Sequence, residues 1–184
     1  FAISDKIKDN AAETIANLKR LGIKKTVMLT GDNRKTAEAV AAGIGIDEVQ
    51  AELLPENKLS AIRKMQKEGR IVAFVGDGVN DGPALAAADI GIAMGGGTDV
   101  AVETSDVVLM RSDLESIPVA VKLAKRTVGV LRQNIVIAVG TVLLLLVGLF
   151  AGYIHMASGM FIHEASILVV ILNAMRLLHR TKKS

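Results

Sequence analysis

The 184-residue sequence contains no cysteine. That excludes a disulfide framework and a thiolate metal site within the chain. Tryptophan is also absent, and tyrosine occurs once. No internal repeat or low-complexity tract is present. The net charge is only +3, and the basic residues gather near the ends of apolar runs. This distribution argues against a nucleic-acid patch and for charges that flank membrane segments. No secretory signal stands at the front. The chain starts without Met and within a predicted strand, so Phe1 reads as an internal position of a longer polypeptide.

What the chain has in excess is apolar residues: 51% of the total, with a mean hydropathy of +0.41. They are unevenly spread. Up to about Asp113 the sequence reads as an ordinary globular α/β chain, and from Thr127 it is mostly apolar. Short apolar runs at 26–29, 46–51, 71–75, 90–94 and 107–110 predict strands. Helical spacing predicts helices at 9–21, 34–42, 55–67, 83–88 and 98–104, with Pro55 at a first helical position and Asp32 or Asn33 as an N-cap. Strands alternating with helices over short links predict one parallel sheet covered on both faces.

Ser112 or Asp113 then caps a long amphipathic helix, with Leu114, Ile117, Val121, Ala124, Val128 and Leu131 on one face. Residues 135–154 carry no charge and are long enough to cross a bilayer. A second apolar run, Met160 to Leu178, is interrupted by His163, Glu164, Ser166 and Asn173. Lys125, Arg126 and Arg132 precede the first run, and Arg176, Arg180, Lys182 and Lys183 follow or close the second. The positive-inside rule therefore places both ends in the cytoplasm and the loop at 155–159 outside. Gly148 and Gly152 have the four-residue spacing that permits close helix packing. The predicted organisation is a sheet domain over 1–112, a connecting helix over 113–134, spans at 135–154 and 160–179, and a cytoplasmic tail at 180–184.

Three polar elements fall at predicted carboxyl ends of strands or beside them, where open α/β sheets bind ligands. Thr30-Gly31-Asp32 offers a hydroxyl and backbone amides, backed by a helix N-terminus, to phosphate oxygens. Lys58, in Pro55-Glu56-Asn57-Lys58, supplies a cation that can neutralise phosphate charge; a lone helix lysine is otherwise simply solvated. The turn Gly76-Asp77-Gly78-Val79-Asn80-Asp81-Gly82-Pro83 offers two carboxylates and an amide to a hard cation such as magnesium. Together the three describe phosphoryl transfer at a magnesium site.

These same stretches, with Ala84-Leu85 closing the third, resemble the phosphorylation-domain motifs of P-type ATPases, membrane pumps of the haloacid-dehalogenase superfamily. The resemblance covers nearly the whole chain. It implies a haloacid-dehalogenase-like, Rossmann-type parallel sheet domain followed by two transmembrane helices. It implies that Asp77, with Asp81, holds magnesium, that Asn80 and Asp81 orient the phosphorylated loop, and that Thr30 and Lys58 contact the phosphoryl group of the ATP substrate. Gly31 and Asp32 complete the Thr-Gly-Asp turn. Gly82 departs from the usual Ala. The family's nucleophile, in an Asp-Lys-Thr-Gly-Thr motif, is not in this sequence, because Asp5-Lys6 is followed by Ile7-Lys8. The nucleotide-binding and actuator domains and the earlier spans have no counterpart here either. By this resemblance the chain alone neither forms the aspartyl-phosphate nor transports, and its partners are ATP, a metal ion, the bilayer and an N-terminal part of the same polypeptide.

Two spans after the phosphorylation domain, with Arg132-Gln133-Asn134 and Asn173-Ala174-Met175-Arg176, resemble the heavy-metal branch. An imidazole and a carboxylate within a span suit zinc, cobalt or iron(II) better than copper(I). The stretch His163-Glu164-Ala165-Ser166 resembles the signature of the cobalt-type subgroup, whose cargo assignments include cobalt, iron(II) and zinc, although Ala165 replaces the usual Gly. His163, Glu164 and Ser166 are thus the expected ligands of a transported divalent metal. Two other readings stand beside the pump: a truncated remnant or pump-associated regulatory protein, and a membrane-tethered phosphatase of the same superfamily.

Overall fold

The structure is a computed structural model that describes residues 10–76, 81–95, 99–111 and 113–180. It divides into two compact units, 1–121 and 122–184.

In the first unit the elements follow in the order α1 (Ala11–Arg20), β1 (Val27–Leu29), α2 (Arg34–Ile44), β2 (Glu48–Gln50), α3 (Pro55–Lys67), β3 (Ala73–Gly76), α4 (Gly82–Ala87), β4 (Ile90–Ala93), α5 (Asp99–Thr104) and β5 (Val107–Val108). Local chemistry sets the boundaries. Asn33 is extended and its side chain accepts from Thr36 N at 2.9 Å, so it caps α2. Pro55 opens α3. Gly22, Gly45 and Gly69 take positive φ just beyond the ends of α1, α2 and α3.

The strands are parallel but do not form the single sheet expected. Among the described residues β1 pairs with β2, and β3-β4-β5 form a second sheet. The strand expected over 71–75 is also shifted. Ile71 precedes β3 and is 84% exposed, because the ladder begins only where Ile90 N reaches Val72 O and Val72 N reaches the Asp89 carboxylate.

Alternation along β4 explains the larger sheet. Ala93 faces Leu85 of α4 and Ala101 of α5, with Phe74 and Val108 beside it. Ile92 faces Leu109 and Ile117, with Leu18, Val75, Val107 and Leu114 around them. Successive residues point to opposite faces, so the sheet is buried on both, as a parallel sheet requires. Gly91 is needed here: a Cβ on it would stand 2.5 Å from Leu85 O.

The helix α6 (Ser116–Phe150) begins in the first unit. The Asp113 carboxylate accepts from Glu115 N at 3.1 Å and from Asn10 Nδ2 at 2.8 Å. Asp113 thus closes the turn that leads into α6, just ahead of its first turn, and Ser112 lies outside the described residues. Connecting helix and first span are one continuous helix through 134–135.

In the second unit α6 continues to Phe150 and α7 (Met156–Arg180) follows. Both are long and apolar enough to cross a membrane by length and composition, and their large aliphatic side chains are exposed. The first span ends four residues earlier than expected, and the second helix begins four residues earlier. Gly152 causes the stop. It has φ +76, its N–H donates to Leu149 O, and Tyr153 N donates to Gly148 O. This is a Schellman closure. The expected close packing on a Gly148/Gly152 step is therefore corrected: Gly152 is past the helix end, and Gly148 is covered by Ile154, whose Cδ1 would stand 2.2 Å from a Cβ there.

Candidate functional site

The carboxyl ends of β1 and β2 are tied into one loop pair. Thr30 N donates to Gln50 O, Leu53 N to Thr30 O, and Glu52 N to Asp32 O, all at 2.9–3.0 Å. Glu52 takes φ +59 to make that turn, the one non-glycine residue with positive φ among those described. A Cβ on Gly31 would sit 3.4 Å from Leu53 O, so the Thr30-Gly31-Asp32 loop lies close against the 51–54 backbone. Within the loop, Thr30 Oγ1 donates to Asp32 Oδ2 at 2.9 Å and accepts from Asp32 N at 3.1 Å. Asp32 thereby holds the Thr30 hydroxyl at the strand end. Leu54 follows directly and is the N-cap of α3, its carbonyl accepting from Lys58 N at 3.2 Å. Thr30 and the first turn of α3 are thus joined through two residues.

Lys58 reaches the other sheet. Its Nζ lies 2.7 Å from Asp81 Oδ1, and the two side chains are only 17% and 13% exposed. Asp81 stands at the N-cap of α4, yet its side chain makes no cap bond. It turns instead toward Lys58 and back over the end of β3. There a Cβ on Gly76 would meet Asp81 Oδ2 at 2.9 Å and Asp81 Cβ at 3.0 Å. Gly76 is what makes room for this carboxylate. One short charge-assisted hydrogen bond in a largely buried place holds the ammonium while its other protons can reach an anion.

The structure thus joins Thr30 with Asp32, and Lys58 with Asp81. Asp77 and Asn80 lie outside the described residues. His163 and Glu164 are exposed on α7. The Ser166 hydroxyl donates to His163 O at 2.7 Å. No group of three or more His, Asp or Glu side chains that would hold a metal is present among the described residues. The sequence analysis did not single out Gly76's contact with Asp81, nor a network at the start of β1 and β2. There the Asp47 carboxylate accepts from Lys19 Nζ at 2.5 Å and from Thr26 N and Oγ1 at 2.8 Å. Lys19, then Thr26, draw the Asp47 carboxyl down from 3.8 to about 2. Lys25, then Gln50, hold Glu48 below the ordinary carboxylate range.

Residues 1–89 match the haloacid dehalogenase-like hydrolase family. Over 97% of its length the chain is 44% identical to a "Probable cadmium-transporting ATPase" of Staphylococcus aureus, and over 73% it is 54% identical to "Copper-transporting ATPase 2" of Rhizobium meliloti. It covers 22% and 16% of those relatives. A crystal structure of a zinc-transporting PIB-type ATPase in its E2.Pi state matches 95% of the chain with a TM-score of 0.88 and 41% identity, and the chain covers 28% of it. The chain thus spans less than a third of the length of each of these three proteins. In sequence and in fold the chain is similar to the C-terminal region of heavy-metal-transporting P-type ATPases.

Proposed function

We propose that this chain is the part of an ATP-driven exporter of a divalent transition metal that steadies the transferred phosphoryl group and supplies two membrane spans. The observation that carries the reading is the Lys58–Asp81 pair at the carboxyl edge of the sheets. An ammonium held rigidly in a half-buried place stabilises charge that builds up on a transferring phosphoryl group, and costs no reorganisation at that moment.

The nucleophilic carboxylate of the cycle lies outside this sequence. It attacks the γ-phosphorus of ATP, forming an aspartyl-phosphate as the bond to ADP breaks, and water later cleaves that acyl phosphate. The Thr30 hydroxyl, whose one hydrogen goes to Asp32 Oδ2 in this structure, would turn from Asp32 to donate to one phosphoryl oxygen, and Lys58 neutralises another. The ligand atoms of this edge are oxygens, with no thiolate, which fits magnesium; the Lys58 ammonium acts on phosphate and not on the metal. Magnesium supplies charge neutralisation of the phosphoryl oxygens when bound. Asp77 is the carboxylate we assign to it. Asp81 has one oxygen on Lys58 and the other against Gly76, so we assign it first to holding Lys58. Asn80 orients the turn between them.

In the membrane, we assign His163 and Glu164 to the cargo, with both ends of the helix pair cytoplasmic and the 151–155 turn outside. A nitrogen and an oxygen donor favour zinc, cobalt or iron(II). Their exposure on α7 is what ligands shared with spans outside this chain require. In the full-length protein, Lys58→Ala is expected to slow phosphoenzyme formation from ATP on the order of 10²-fold, and Asp77→Ala to abolish it. Phosphorylation at the unmodified rate in both variants would remove the basis for this assignment.

A further inference from the structure

One polar cluster and one glycine contact fix how α6 and α7 pair. Asn173 Nδ2 donates to Asn134 Oδ1 at 2.8 Å and to Gln133 Oε1 at 3.2 Å, and Arg176 Nη1 donates to Asn173 Oδ1 at 3.0 Å. Arginine only donates, so it determines which end of the Asn173 amide is oxygen. Both acceptors from α6 then fall on the nitrogen end. At the turn, Ile154 lies over Gly148 of α6 and within 3.5 Å of a Cβ built on Gly159 of α7.

These two contacts share one register. Seven residues on from Asn134 is Thr141, and seven more is Gly148. Seven back from Asn173 is Ser166, and seven more is Gly159. Burial traces the same stripes. From 134 to 148 only Asn134, Ile137, Thr141, Leu145 and Gly148 are partly covered. On α7 the covered positions include Gly159, Ile162, Ser166, Val170 and Asn173. Spacings of three and four describe a left-handed antiparallel seam. His163 and Glu164 are exposed and off it. The seam offers little other direction. Thr141 and Ser166 direct their hydroxyls to Ile137 O and His163 O of their own helices, and aliphatic contacts tolerate sliding. Polar side chains across helices in a bilayer, or one Asn in a seam, select register.

We propose that Asn173 is a positioning residue: by donating to Gln133 and Asn134 it fixes the rotation of α7, and so turns His163 and Glu164 away from α6 toward the rest of the transport path. The proposal rests on the reading of His163 and Glu164 as cargo ligands.

The test uses the full-length protein. The pair Thr141→Cys and Ser166→Cys is expected to be joined efficiently by a short bismaleimide, each thiol adding across one C=C bond, and the pair Thr141→Cys and Glu164→Cys poorly. Asn173→Leu is expected to erase that preference. It should also raise the metal concentration for half-maximal ATPase stimulation roughly three- to tenfold, with the maximal phosphoenzyme level unchanged. Asn173→Asp is expected to restore both, because the Gln133 and Asn134 amides can turn and donate to it. Asn134→Leu added to Asn173→Leu should cost nothing more. An unchanged cross-linking preference in Asn173→Leu overturns the proposal, as does a lost preference with unchanged metal sensitivity. If His163→Ala itself leaves metal sensitivity unaltered, the cargo reading has failed instead, and the cross-linking arm alone decides whether Asn173 sets the seam.

Discussion

Gly76 shows how a single missing Cβ shapes the site. Its neighbours leave no room for a methyl without moving Asp81, whose own Cβ would be 3.0 Å away. Gly76→Ala is therefore expected to displace Asp81 and loosen Lys58, slowing phosphoenzyme formation in the manner of Lys58→Ala but less severely. Equal phosphorylation rates for Gly76→Ala and the unmodified protein would show that the pair does not depend on this contact. The glycine was visible in the sequence as a turn residue, but the atom it makes room for was not, because Asp81 comes back to it through space. Asp47 carries a different prediction. Its carboxyl titrates lower in the folded state, about 2 against 3.8. The stability it contributes is complete above the unfolded value and is lost as pH falls through about 4 to 2. Asp47→Asn should flatten the acid limb of a stability-against-pH curve; a limb of undiminished slope would contradict this account.

Among the elements, the closure of α6 is the most informative. A Gly-xxx-Gly spacing in an apolar run suggests packed helices, and the same spacing suits a helix end, where the second glycine takes positive φ. Local sequence does not separate the two uses; the bonds from Gly152 and Tyr153 do. Gly152→Ala is expected to lower the stability of the helix pair by about 1 kcal/mol through left-handed strain. Heat-induced aggregation of the detergent-solubilised protein would reveal it as a lower midpoint, and an unchanged midpoint would count against the Schellman closure. Most other elements were legible. Pro55 fixed the start of α3, and Asn33 is a cap by both sequence and bond. The β3 boundary was less so. Ile71 is as apolar as its neighbours, but only the pairing with β4, a tertiary fact, decides where the strand begins.

For the molecule as a whole, the order of strand, polar loop and apolar helix was readable because each step has a local cause: alternation, turn chemistry and length. The division into two parallel sheets was not, since nothing local says which strand lies beside which. The Lys58–Asp81 pair, 23 residues apart in sequence, was readable only as two separate candidates. The cargo is the least local property. His163 and Glu164 are two donors on one helix, and a metal ion needs more than two. The similar proteins are described as transporters of cadmium, copper and zinc, so the proposed choice of cargo rests on the donor chemistry of this chain.

The most direct measurement is the ATPase rate of the full-length protein across iron(II), cobalt, zinc, cadmium and copper(I), repeated with His163→Ala. Stimulation by iron(II), cobalt or zinc that shifts to higher metal concentration in the variant is the predicted result. Stimulation by copper(I) alone, by no metal, or without any response to His163→Ala would contradict the account of this chain as part of a divalent-metal pump with its cargo ligands on α7.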